Sequence, residues 1–122
     1  MAGIRFFYRF IPLRFSPKAD KYVGMVITVE NRSEEPKLLS ADVVIKTQGQ
    51  LGLDPSAVHK KGIKKIGRLN PGEKKEVMVK IYALPTAQPG EYEIDLYLNE
   101  HYLDYDKILA RWKKEATLRV ID

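Results

Sequence analysis

The sequence predicts an all-β fold: a seven-stranded antiparallel β-sandwich with a short helical insertion over residues 104–113. Two observations carry that expectation. Residues 68–99 contain two Pro-Gly pairs, Pro71-Gly72 and Pro89-Gly90, and each is followed at once by strict alternation of apolar and polar residues. After the first pair Val77, Val79 and Ile81 share one face, and after the second Tyr92, Ile94, Leu96 and Leu98 do. A period of two places those side chains on one side of a pleated strand, and two such segments in succession imply antiparallel strands with one buried face. Proline presets the turn and glycine supplies the backbone conformation that other residues resist.

The remaining elements follow in order. Residues 4–15 alternate Ile4, Phe6, Tyr8 and Phe10 against Arg5, Phe7, Arg9 and Ile11, a first strand whose second half Pro12 turns into an edge or a bend. Residues 22–30 place Val23, Met25, Ile27 and Val29 on a second core face and stop at Asn31-Arg32-Ser33. Leu39, Ala41, Val43 and Ile45 make a third strand, expected to end at Thr47-Gln48-Gly49. Residues 48–62 are a long loop with one helical turn over residues 54–58, and residues 63–66 are a short fourth strand. Strands five and six flank the second Pro-Gly pair. Beyond Asn99 the spacing of Leu103, Lys107 and Arg111, and of Ile108, Leu109 and Trp112, suggests an amphipathic helix over residues 104–113, with a hairpin as the alternative. Alternation of Leu118 and Val120 with Thr117, Arg119 and Ile121 gives the seventh strand.

With 122 residues, 35 of them Leu, Ile, Val or Phe, the chain is expected to fold as one domain over residues 1–122. The chain has no cysteine, so disulfides, thiolate metal sites and a cysteine nucleophile are excluded. Lysine and glutamate are abundant, a composition that fits a hot-living source. Arg5, Arg9 and Arg14 interrupt the apolar start, and nowhere is there a run of the roughly 20 apolar residues that cross a bilayer, so a cytoplasmic protein without membrane contact is expected. The net charge of +5 is polarised along the chain. Basic residues gather between His59 and Lys80 with only Glu73 and Glu76 among them, and Arg111, Lys113 and Lys114 form a second group. Between the two lies an acidic segment of Glu91, Glu93, Asp95, Glu100, Asp104 and Asp106.

The segments Val-Ile-Thr-Val-Glu-Asn at 26–31, Leu-Asn-Pro-Gly-Glu at 69–73 and Pro-Gly-Glu-Tyr at 89–92 resemble the small immunoglobulin-like modules of archaeal and bacterial proteins, including the CARDB-like and fibronectin type III-like groups. The resemblance covers roughly residues 22–121. It implies an immunoglobulin-like sandwich acting as a scaffold or binding module, with Tyr92 placed as a tyrosine corner against upstream backbone.

No constellation points to chemistry. His101 stands near Glu100, Asp104 and Asp106, but a transition-metal site needs three or four converging ligands and a calcium loop needs a central glycine, so no metal or other cofactor is assigned. The serines lack a nucleophile-elbow context and Glu91 and Glu93 lie outward on one strand, so an enzyme is not expected, and a metal-dependent hydrolase built on His101 is the weakest alternative. Lys60, Lys61, Lys64, Lys65 and Arg68 are the candidate anion surface: phosphate contact is one reading and a solvated, aggregation-resistant edge is the other. No aromatic residue lies between Val58 and Val79 to stack on bases. Trp112 is expected as a core lid with Ile108 and Leu109. Phe7 and Ile11 lie opposite Phe6 and Phe10, so they are expected to be covered by a protein partner, by a second copy of the chain or by residues 104–113, or else to stay exposed. The expected function is a non-enzymatic protein-interaction or assembly module, with nucleic-acid binding on residues 60–80 as the alternative.

Overall fold

A computed structural model describes residues 3–46 and 50–122. In order the strands are β1 (Ile4–Ile11), β2 (Arg14–Phe15), β3 (Val23–Asn31), β4 (Lys37–Ile45), β5 (Leu51–Gly52), β6 (Lys61–Leu69), β7 (Lys74–Ala83), β8 (Gly90–His101) and β9 (Ile108–Val120). Sheet one has the order β1-β3-β7-β5 and sheet two the order β2-β9-β8-β4-β6. All pairings are antiparallel except β2 with β9. The chain changes sheets at Pro12, where the Ile11–Pro12 bond is cis, and Phe15 then lies fully buried beside the end of β9. The predicted end of the third strand at Thr47-Gln48-Gly49 lies outside the described residues.

The inward residues are those that the alternation selects. Phe6, Met25, Ile27, Leu39, Ile81, Ile94, Leu96, Leu98 and Leu118 are all buried to 2% exposure or less. Burial of such side chains contributes about 1.5–3 kcal/mol each and drives the two sheets together. Tyr92 donates its hydroxyl to the Gln88 carbonyl at 2.7 Å, four residues upstream, which is the geometry of a tyrosine corner.

Three sequence expectations are corrected. Among the described residues there are nine strands rather than seven, because two short pairings, β2 on β9 and β5 on β7, leave too few residues to show a period. There is no helix among the described residues. The segment expected as a helix over 104–113 is the end of a hairpin loop and the first half of β9, whose inward positions are Ala110, Trp112, Lys114, Ala116, Leu118 and Val120. Lys114 takes an inward position, donating to the Phe6 carbonyl with its ammonium 4.7 Å from the Phe6 ring, so a charge interrupts the apolar half of the alternation. A register shift at Glu100/His101 adds Leu109 as an extra residue, which shortens the apparent apolar spacing further. Residues 54–58 form a turn instead of a helical one. The Asp54 carboxylate accepts from the Ser56 hydroxyl and from the amides of Val58 (3.0 Å) and His59 (2.8 Å), which holds its pKa down at about 2.

Asn31, fully buried at the end of β3, joins the two sheets. Its side-chain amide donates to the carbonyls of Leu69 (2.9 Å) and Glu35 (2.8 Å), and its side-chain oxygen accepts from the amide (2.9 Å) and hydroxyl (2.6 Å) of Ser33. Its backbone carbonyl accepts from Gly72 and its amide donates to Glu73. Replacing Asn31 with alanine strands two carbonyls, and the expected loss is about 2–4 kcal/mol by urea denaturation; a loss under about 1 kcal/mol would contradict this role.

Candidate functional site on the open flank

The five basic candidates do not share one face. Pairing with outward Asp42 and Ser40 turns Ile63 and Lys65 to the outer side of sheet two, and pairing with Val44 and Leu38 sends Lys61 and Arg68 the same way. Lys64 pairs with the buried Ala41, so its stem lies toward the interior and lines a groove at the edge of the sandwich. Lys60 donates to the Leu51 carbonyl. The structure therefore brings Lys61, Lys65 and Arg68 to one face, turns Lys60 to the Leu51 carbonyl and sends Lys64 into the groove.

That outer face is shared with acids. Arg111 donates to Asp42 (2.9 Å) and to the Asn99 side-chain oxygen (3.0 Å) while lying 4.0 Å from the Tyr97 ring centroid. Lys113 lies 3.5 Å from Asp95, whose carboxylate raises its pKa above the ordinary lysine value. Beneath them, Ser40 and His101, 61 positions apart in sequence, meet at 2.6 Å through the His101 Nε2. The His101 Nδ1 faces the Lys107 carbonyl at 3.2 Å, and Asn99 donates to the Ser40 hydroxyl at 3.2 Å. The neutral tautomer that satisfies every partner donates from Nδ1 and accepts the serine proton at Nε2. With Ser40 at 2% and His101 at 7% exposure, the network pins β4, β8 and the hairpin loop together. No sequence signal links these two residues; only the strand register does. Among the described residues no three His, Asp or Glu side chains gather to hold a metal ion, and the Asp104 carboxylate accepts from the Asp106 amide.

Phe7 and Ile11 do face away from the core, on the outer side of sheet one, at 38% and 52% exposure. Residues 104–113, the end of a hairpin loop and the first half of β9, belong to the other layer and do not cover them. Met78 shares the face, with its sulfur lodged over Gly24, where a Cβ would come within 2.7 Å. Trp112 is half-buried against the core, whereas Ile108 and Leu109 are exposed.

The open flank lies between β6 and β7. These strands are joined by residues 70–73 but enter different sheets, and each presents an outer edge. On β7 the strand β5 pairs only with Ala83 and Tyr82, so among the described residues no strand lies beside 74–81 on that side. A groove of about 360 Å³ runs between the two edges, floored by Leu53, Gly62 and Val79 and bordered by Ile63, Met78, Lys64, Lys80 and Tyr82. Val77 and Val79 point inward yet stay half-buried, because the core is uncovered there. Lys75 closes one end by donating to the Ile66 carbonyl at 2.8 Å, and β5 closes the other.

No family model and no curated protein matches the chain. Among solved structures it is similar to a Salmonella alpha-2-macroglobulin mutant, with a TM-score of 0.66 and 19% identity over 98% of this chain and 7% of that one. It is also similar to a chain from the complex of zinc 2-glycoprotein and prolactin-inducible protein of human seminal plasma, with a TM-score of 0.64 and 15% identity over 98% and 95% of the two chains. A third likeness is to AvmM, which catalyses macrocyclization in alchivemycin A biosynthesis, with a TM-score of 0.61 and 9% identity over 100% and 90%. The chain thus spans only 7% of the macroglobulin's length. At these identities the likeness shows the fold: an immunoglobulin-like, all-β sandwich.

Asp42 is 5% exposed, and Arg111 is its ion-pair partner. Arg111→Ala is expected to destabilise the protein by about 2 kcal/mol, since a buried carboxylate loses its partner while the half-exposed arginine limits the effect. Urea denaturation checks this, and a change under about 0.5 kcal/mol would mean that water replaces the guanidinium without loss.

Proposed function

We propose that this chain is a non-enzymatic protein-interaction module and that it engages its partner on the open flank between β6 and β7. Within the immunoglobulin-like fold we assign it to the CARDB-like or fibronectin type III-like modules; the three segments that carry the resemblance fall at the end of β3, the β6–β7 turn and the start of β8. The observation that carries the interaction reading is the partial exposure of the core's own inward side chains, Val77 and Val79, beside a strand edge that no strand pairs among the described residues. A sheet edge of this kind is a ready-made template for another chain. The alternative surfaces offer less. Arg5 lies 5.8 Å from the Phe7 ring centroid and Arg9 pairs with Glu76 at 3.4 Å, which screens the Phe7 and Ile11 face with charge. The Ser40–His101 pair spends its hydrogen bonds within its own network, which supports a structural role over a catalytic one. Nucleic-acid binding loses support because the lysines of β6 diverge and their outer face carries Asp42 and Asp95.

Selection of a random peptide display library on the purified protein tests this reading. Enriched peptides are expected to lose at least tenfold in affinity on the double variant Ile63→Glu, Met78→Glu, whose positions are exposed and whose fold is checked by an unchanged circular dichroism spectrum. Absence of enrichment, or peptides that bind the variant equally well, would contradict it.

A further inference from the structure

We infer that the flank takes an acidic, extended polypeptide segment as an added strand beside β7. This deepens the interaction-module reading and rests on it. The direction of the β7 backbone can be read from two hydrogen bonds. The Glu73 carbonyl accepts from Asn31, on the β3 side, and the Leu84 amide donates to Gln50, on the β5 side, at 3.0 Å. In an antiparallel strand the amide and carbonyl of one residue point to the same side, and that side alternates. The β3–β7 register is unbroken, so both bonds place the odd-numbered residues toward β3 and the even-numbered ones outward. The amides and carbonyls of Glu76, Met78 and Lys80 therefore form a row along the open edge.

The row runs from Lys75 to the start of the β5 pairing, about 20 Å for six residues, which suits a segment of four to six residues in one extended stretch. Alternate side chains of an added strand meet two environments. Those facing inward lie against Val77, Val79 and Leu53, and those facing outward lie beside Met78 and Lys80. The segment is therefore apolar on one side and polar on the other.

Charge decides its sign. The acidic strand β8 is answered across the sheet by β9, where Lys113 meets Asp95 at 3.5 Å and Arg119 meets Glu91 at 3.4 Å. The basic residues of the flank are answered less: Lys74 faces Glu30 across the β3–β7 pair, but among the described residues Lys64, Lys75 and Lys80 form no ion pair with a carboxylate. A second copy of this chain brings the same lysines to the contact and is repelled, whereas alternating acids complement them. A nucleic acid matches the charge but supplies neither the backbone donors and acceptors of a strand nor apolar groups for Val77 and Val79.

The probe is a blocked eight-residue peptide of alternating valine and glutamate, with its lysine-for-glutamate counterpart and a twelve-nucleotide oligothymidylate as comparisons. The acidic peptide is expected to bind at least tenfold tighter than either and to weaken as salt is added. At saturation it should slow amide exchange at Met78 and Lys80 at least tenfold and leave Val77 and Val79 unchanged. The double variant Lys64→Glu, Lys80→Glu, at two exposed positions, should reverse the preference toward the basic peptide. Absence of acidic-peptide binding, binding without protection at Met78 and Lys80, or equal binding of the oligothymidylate would overturn the inference. Should library peptides sensitive to Ile63→Glu, Met78→Glu exist while the acidic peptide fails, the interaction module stands and the acidic strand falls; should neither bind, both fall.

Discussion

The four side-chain hydrogen bonds of Asn31 govern how the two sheets diverge. Its amide holds the Leu69 carbonyl at the end of β6, its backbone holds Gly72 and Glu73 at the start of β7, and its side-chain oxygen holds the turn into β4. Residues 70–73 are thereby fixed as a crossing between sheets, where a hairpin would have paired β6 with β7. Two consecutive strands, whose edges a hairpin would satisfy, are sent to opposite layers. A buried amide can do this because each of its donors and acceptors is matched, and a partly satisfied one would cost more than it stabilises.

The same division explains the charge pattern. In β8 and β9 the antiparallel return of the chain lays the acidic segment against the basic one, and the polarity visible along the sequence cancels in space. The β6 and β7 segments make no such return on each other, so the basic charge between His59 and Lys80 is offset only in part, by Glu30 opposite Lys74 and by Asp42 on the β6 outer face. Of these basic residues Lys64 and Lys80 border the groove where the core is thinly covered. Edge lysines discourage indiscriminate pairing between like chains, and here the same residues select the sign of what pairs.

The strands with clean alternation were legible in the sequence: β1, β3, β4, β7 and β8 lie where Phe6, Met25, Ala41, Val79 and Leu96 place them. The outward direction of Phe7 and Ile11 was legible for the same reason. The first half of β9 was not, because Lys114 occupies a core position by reaching the Phe6 carbonyl and because an extra residue shifts the period at Leu109. Residues 54–58 satisfy Asp54 through a turn, and the sequence signal for a helix start is the same aspartate followed by proline. The basic cluster was visible as a cluster, but the direction of each lysine depends on pairing with β4, and the groove depends on β5 reaching only two residues of β7. Ser40 and His101 meet through register alone.

Native-state amide exchange of the unliganded protein across β7 tests most directly whether this edge is open. An open edge gives a period of two: Glu76, Met78 and Lys80 exchange quickly, while Val77, Val79 and Ile81, bonded to β3, are slow. Uniform protection along the strand at dilute concentration would mean that the edge is already satisfied, and would contradict the open flank on which the functional reading stands.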